Sequence, residues 1–355
     1  MSARAPWVLL VPGDLHTPTG GYAYDRRLLQ AWRAQGRAVD VLRLDGDWPH
    51  PDAVALARAA AALAALPDGA CVVADGLAFG VLAAQVAPHA QRLRWVALVH
   101  HPLHLETGLA PALAEGLRRQ EGEALRHAHQ VVVPSPHTAH DVAALGVPAA
   151  RIAVVEPGAD PVAVPAPRPR APDGPVELLC VATLTPRKDH GLLLRALGGL
   201  LHLDWRLHAV GSATRDAAHA RALHALTASG PLAPRVVWHG ELAEAALQAR
   251  YAAADAFVLA SRHEGYGMVI NEALQHGLPV VASRAGALAQ TVPPEAGLLV
   301  PAGDESAWRA ALAAVIGDAA LRARLAAGAR AAAQHLPAWP QQAARFAALI
   351  DAVVA

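Results

Sequence analysis

The sequence predicts an α/β protein made of two doubly wound, parallel-sheet domains facing each other across a cleft. Three observations predict it. Short apolar runs alternate with longer Ala/Leu/Arg stretches of helical period; the alternation breaks once, at a proline-rich segment, and then restarts; and 355 residues exceed what one core usually organises. Short, continuously apolar strands separated by helices belong to a sheet covered on both faces.

In the first half the expected strands are Val8–Val11, Ala38–Leu42, Cys71–Ala74, Trp95–Val99, Val131–Val133 and Ile152–Val155. Helices are expected near Tyr22–Gln35, Asp52–Ala65, Leu77–Ala87, Pro111–His127 and Pro136–Leu145. Seven prolines then fall between Pro157 and Pro175, with few apolar anchors, which reads as an interdomain connection. Strands resume at Val176–Ala182, Trp205–Val210, Val236–Trp238, Ala256–Leu259, Pro279–Ala282 and Leu298–Val300. Glu305–Ile316, Ala320–Gln334 and Pro340–Val354 read as helices. The expected division is 1–165, a first doubly wound domain; 166–335, a second; and 336–355, a helix packing back on the first domain.

Composition narrows the function. The chain is 54% hydrophobic and 17% charged, with a formal net charge of zero, so no basic groove for nucleic acid is expected. Cys71 and Cys180 sit in apolar runs and read as buried thiols. The run Pro6–Pro12 is too short for a signal-peptide core or a bilayer span, and no other stretch is long enough to cross a membrane. A soluble, cytoplasmic protein is expected, with peripheral membrane contact left open.

The strongest local signal is the stretch Ser261-Arg-His-Glu-Gly-Tyr-Gly-Met-Val-Ile-Asn-Glu272 after the strand Ala256–Leu259. Glu264 stands in the loop, Gly265 and Gly267 let backbone approach a ligand, and Glu272 lies about a turn and a half into the helix. Carboxylates beside helix-terminal amides suit the recognition of sugar and ribose hydroxyls. A second signal is the chain's one lysine, Lys188, among twenty-nine arginines, in Ala182-Thr-Leu-Thr-Pro-Arg-Lys-Asp189. An ammonium on a loop that opens a helix is a common phosphate anchor.

These motifs resemble the family 4 glycosyltransferases of the GT-B fold, over nearly the whole chain. The resemblance implies two Rossmann-like domains, 1–165 on the acceptor side and 166–335 on the nucleotide-sugar side, enclosing a nucleotide-diphosphate-sugar co-substrate, with no further cofactor, no bound metal and retention of anomeric configuration. Glu264 and Glu272 match the family's E-x7-E pair, implying contacts to the donor sugar and the ribose respectively, while the amides of Gly265, Tyr266 and Gly267 would hold sugar and phosphates. Thr19-Gly20-Gly21-Tyr22 is similar to the loop that approaches the diphosphate. Val154–Asp160 resembles the segment before the hinge, and Gly211, His239 and Gly240 fall where the nucleotide pocket is lined. Lys188 matches the family's diphosphate lysine, but Thr183 stands where the family has arginine and Asp189 where it has glycine. Arg187 or Thr183 would then complete the diphosphate site, in a subgroup of the family.

His100 ends a strand where the family often places a histidine near the reacting sugar. His100, His101, His104 and Glu106 also invite a metal-site reading, but Pro102 breaks any helix that would put them on one face. A polar loop is favoured, with His101, His104 and Glu106, together with Ser135, as acceptor-side candidates; Asp14, His16 and His137 read equally as loop caps. No Walker loop and no G-x-G-x-x-G occurs, which disfavours a triphosphatase or a nicotinamide dehydrogenase. The expected reaction is front-face sugar transfer to a hydroxyl acceptor, with His100, Lys188, Arg187 and Glu264 in the catalytic set. The alternatives are a sugar-nucleotide epimerase or phosphorylase of the same fold, a metal-dependent hydrolase using the His100–Glu106 loop, or a silent nucleotide-binding module.

Overall fold

A computed structural model describes residues 6–160 and 174–354. Two compact units result, one of residues 1–160 with 337–355 and one of residues 161–336. The boundary expected at 165/166 lies outside the described residues.

The first unit carries a six-stranded parallel sheet of β1 (Trp7–Pro12), β2 (Val39–Leu44), β3 (Cys71–Asp75), β4 (Arg94–Leu98), β5 (Gln130–Val133) and β6 (Ile152–Val154). Their order is β2-β1-β3-β4-β5-β6. The strand order reverses between β1 and β3, and the loops leaving those strands therefore diverge around a crevice. β1 and β3 are buried along their whole length, as strands covered on both faces must be.

The C-terminal helix Trp339–Val354 belongs to this unit. Its buried residues Trp339, Gln342, Ala343, Phe346, Ala347 and Ile350 recur at helical spacing and form one stripe. That stripe meets the helix Gly20–Ala34: Trp32 packs edge-on against Phe346 at 5.2 Å, and its Nε1 donates to Ala343 O at 3.0 Å. Arg37 closes the contact through a two-pronged pair with Asp351, at 2.8 and 2.6 Å.

The single helix expected over Leu77–Ala87 is corrected to two short turns, Gly76–Phe79 and Ala83–Val86, with a 3₁₀ turn after them. Gly80 sits at the break, where an added Cβ would lie 2.8 Å from Leu103 Cδ1. Close packing there takes precedence over helix continuity.

The second unit holds β7 (Val176–Val181), β8 (Trp205–Val210), β9 (Val236–Gly240), β10 (Ala256–Leu259), β11 (Val280–Arg284) and β12 (Gly297–Pro301). All pairings are parallel, in the order β12-β11-β10-β7-β8-β9. Counted from its own first strand this is the 3-2-1-4-5-6 order of dinucleotide-binding folds, with the switch point between β7 and β10. The loops leaving those two strands carry Lys188 and Glu264. Among the described residues, no helix is long and apolar enough to cross a membrane.

Candidate active site

In the second unit the β7 and β10 loops close on one buried carboxylate. Lys188 Nζ lies 2.5 Å from Glu264 Oε1, Ser261 Oγ donates to the same oxygen at 2.6 Å, and Arg187 reaches Oε2 at 3.4 Å. Arg187 is also anchored on His263 O at 2.9 Å. Burial by itself would raise the Glu264 carboxyl, but Lys188, Arg187 and Ser261 together outweigh it and hold the group at about 2. Lys188 moves the other way: burial first, and then Arg187, lower it despite the attraction of Glu264. Three sequence-selected residues thus form one cluster, and Ser261, three residues before Glu264, completes it.

The two departures around Lys188 have different structural consequences. Asp189 takes a left-handed conformation, φ 45°, the only positive φ of a non-glycine residue among those described. Such backbone favours glycine; here the Asp carboxylate compensates by capping the helix His190–Gly198 at Leu192 N and by accepting from Arg262 Nε at 2.8 Å. Thr183 stands just past β7, against Gly211 at the end of β8. A Cβ on Gly211 would sit 2.1 Å from Ala182 O and 3.0 Å from Thr183 N, so only glycine fits. Gly211 N also donates to Gly240 O at 2.8 Å, which brings the ends of β7, β8 and β9 side by side.

His239 is the extra residue of a bulge, since β8 pairs Ala209 with Trp238 and then Val210 with Gly240. Its ring stacks on His208 at 5.1 Å, His239 Nε2 lies 2.8 Å from His208 Nδ1, and His208 Nε2 lies 2.8 Å from Glu177 Oε2.

Gly265, Tyr266 and Gly267 join Glu264 to the helix Met268–Gln275. Gly267 occupies the cap position with φ 88° and offers no side chain to the first helical amides. The Tyr266 ring is buried and its hydroxyl accepts from Asn271 Nδ2 at 3.1 Å. Glu272 receives the hydroxyl of the fully buried Tyr251 on Oε2 at 2.7 Å. Tyr251 is in turn stacked on His276, with ring centres 5.0 Å apart.

In the first unit, Gly20 and Gly21 open the helix Gly20–Ala34, capped by Thr19, whose side chain accepts from Tyr22 N at 3.3 Å. The four residues of the His100–Glu106 loop diverge. His100 Nε2 turns to Asp25 Oδ1 at 3.0 Å, and His104 Nδ1 lies 3.9 Å from Glu121 Oε2. The exposed Glu106 accepts from Thr107 N at 2.9 Å, and His101 is half-buried. Glu121, wholly buried, fastens the loop by accepting from Leu103 N at 2.9 Å. Ser135 is buried and caps the helix Pro136–Ala143 through Thr138 N at 3.0 Å.

Tyr251, Asp25, Asp75 and Glu121 went unnoticed in the sequence. Each lies in an ordinary helix or strand and gains its partner only by folding, so no local pattern marks it.

Two Rossmann-like units, each with polar side chains on the loops at its switch point, define a GT-B protein. Solved structures show the same fold: sucrose-phosphate synthase from Thermosynechococcus elongatus is 24% identical with a TM-score of 0.82, covering 99% of each chain. Anabaena HepE, solved with UDP, is 19% identical with a TM-score of 0.74, covering 98% of this chain and 100% of that one.

The family described as "Glycosyltransferase Family 4" matches residues 18–162, and "Glycosyl transferases group 1" matches residues 175–318. The chain belongs to the family 4 glycosyltransferases. A relative named D-inositol 3-phosphate glycosyltransferase, from Xylanimonas cellulosilytica, is 37% identical over 158 residues, 44% of this chain and 37% of its own. The chain spans only 37 to 48% of the length of the first such relatives.

Proposed function

We propose that this protein is a cytoplasmic, retaining glycosyltransferase that moves a sugar from a nucleotide-diphosphate-sugar to a hydroxyl acceptor by front-face attack, without a metal. The observation that carries this reading is the Lys188–Glu264–Arg187 cluster on the two loops flanking the switch point between β7 and β10. As the glycosidic bond breaks, negative charge grows on the diphosphate while the sugar becomes oxocarbenium-like. Lys188 and Arg187 supply positive charge that a metal would otherwise bring, and Arg187 takes the part of the arginine that Thr183 replaces. The amides after Gly267 lack a side-chain cap and suit an anionic group.

Glu264, held ionised, orients sugar hydroxyls as an acceptor, and Glu272, fixed by Tyr251, takes the ribose. The amides of Gly265 and Tyr266 and the strand ends at Thr183, Gly211, His239 and Gly240 complete the donor side. Gly20 and Gly21 approach the diphosphate, and His100 hydrogen-bonds the transferred sugar. His101, His104, Glu106 and Ser135 remain the proposed acceptor side. In front-face attack the departing phosphate oxygen receives the acceptor proton as the new C–O bond forms, so no protein carboxylate need be alkylated.

A panel of nucleotide-sugars tests the reading, beginning with UDP-sugars because HepE is solved with UDP and with UDP-glucose. Slow, chelator-insensitive release of nucleoside diphosphate is expected from one or more of them. Release abolished by chelator, or epimerised sugar with no diphosphate released, would refute it.

A further inference from the structure

Behind His100 lies a set of ionisable groups that the donor chemistry does not use. Asp25, on the first turns of the helix Gly20–Ala34, is wholly buried, and Asp75, at the end of β3, nearly so. His100 Nε2 lies 3.0 Å from Asp25 Oδ1 and 3.8 Å from Asp75 Oδ2, and one ligating atom of each residue falls within 4.8 Å of the others. Among the described residues, no N–H or O–H donates to the buried Asp25 Oδ2. A proton on the neighbouring Asp75 carboxyl gives that oxygen a donor.

The surroundings fix the imidazole. The Tyr24 ring stands edge-on at 5.1 Å, and Gly21 backs the ring so closely that a Cβ there would lie 3.1 Å from Cδ2. Leu77 N donates to Asp75 Oδ1 at 2.7 Å. Arg26, the next residue on the helix, donates to Leu15 O and Thr17 O and feels Asp25 and Asp14. Among the described residues, the charged groups that act on His100 are Asp25 and Asp75, with the Tyr24 phenol packed on the ring; Asp25 in turn faces Arg26, which also feels Asp14 and Arg27.

Resting on the proposed sugar transfer, we infer that Asp25 and Asp75 are a positioning pair that shares one proton and holds His100 by Nε2, so that Nδ1 serves the transferred sugar as a hydrogen-bond donor. One shared proton leaves one negative charge, which the imidazolium balances, so the buried group is neutral overall. A neutral ring tethered through Nε2–H would present Nδ1 as an acceptor instead. Directions of titration agree. Burial would lower His100, but Asp25 and then Asp75 outweigh it and raise the ring. Burial and the Asp25 charge push Asp75 up to about 8.

Long-range proton–nitrogen NMR of the full chain labelled on histidine tests this without requiring activity, with His100 assigned by its loss in His100→Gln. The wild-type ring should titrate above the ordinary 6.5 and carry its proton on Nε2 when neutral. Asp25→Asn should bring the midpoint down by roughly a unit or more. In donor kinetics, Asp75→Asn, whose amide reproduces the Asp75 proton, should keep kcat within about threefold, while Asp75→Leu loses roughly tenfold or more.

A wild-type midpoint at or below 6.5, or a neutral ring protonated on Nδ1, overturns the pair even if Asp25→Asn does not fold. So does a midpoint unmoved in a folded Asp25→Asn, or loss of the His100 signals on adding one equivalent of Zn²⁺, which would make the cluster a metal site. If the titration holds and no sugar is transferred, the proposed function fails and the shared proton stands.

Discussion

Tyr251 gives its hydroxyl to Glu272 Oε2 at 2.7 Å from inside the core of the second unit, fixing one oxygen of the carboxylate assigned to the ribose. The two residues sit on different helices, and Tyr251 is fully buried. Burial and the Glu272 charge raise the phenol well above its ordinary value, so it remains a donor at every working pH. Tyr251→Phe removes this bond alone. Nucleotide affinity, measured by calorimetry, should fall about threefold to tenfold, with kcat changed less. A kcat loss at unaltered affinity would refute the ribose assignment.

Glu272→Ala goes further and should weaken nucleotide binding by a further factor while leaving acceptor affinity nearly unchanged. Equal losses for both ligands would remove Glu272 from the donor side.

Lys188→Ala should lower turnover about ten- to a hundredfold, the worth of a charge-assisted hydrogen bond of ~1.5–3 kcal/mol. It also leaves Glu264 with fewer compensating partners, so its carboxyl should rise from about 2 toward the usual range. Lys188→Arg should be impaired too, because a planar fork does not fit a site built for a point charge. Steady-state kinetics of both variants decide this, and wild-type rates would remove Lys188 from the reaction.

His190 predicts acid sensitivity. Its ring is buried beside Cys180 Sγ, at 3.7 Å, and burial first, then Lys188, lower it from 6.5 to about 4. A histidine kept neutral by folding contributes fully above 6.5, and the contribution drains away as pH falls toward 4. The loss is roughly 3 kcal/mol at most. Urea denaturation between pH 7.5 and 4.5 should show a shallower decline in His190→Leu than in the wild type; parallel declines would refute it.

Gly211→Ala places a Cβ 2.1 Å from Ala182 O, so β7 and β8 must part where Gly211 packs against Ala182 and Thr183. The thermal midpoint or nucleotide binding should drop clearly. Wild-type values for both would show that the strand ends yield without cost.

Much of the site was legible because its chemistry is carried on short loops next to strong strands. Glu264, Glu272 and Lys188 stand out by glycine context and by composition. What was not legible is who pairs with whom. Lys188 and Glu264 were assigned separate tasks, yet they meet across 76 positions of sequence; His104 turned to Glu121, and Ser135 to a helix cap.

The sequence by itself determined the alternation of strands and helices, since burial imposes its period on neighbouring residues and most strand runs are locally apolar. It also determined the proline-rich break and the glycines where backbone must turn. The tertiary structure decided the strand orders, the return of Trp339–Val354 to the first unit, and the meeting of Asp25 with His100 across 75 positions. Crossover connections choose which strand ends become neighbours, and only then do burial and nearby charge fix the protonation of Glu264, Asp75 and His190. No local pattern carries that information.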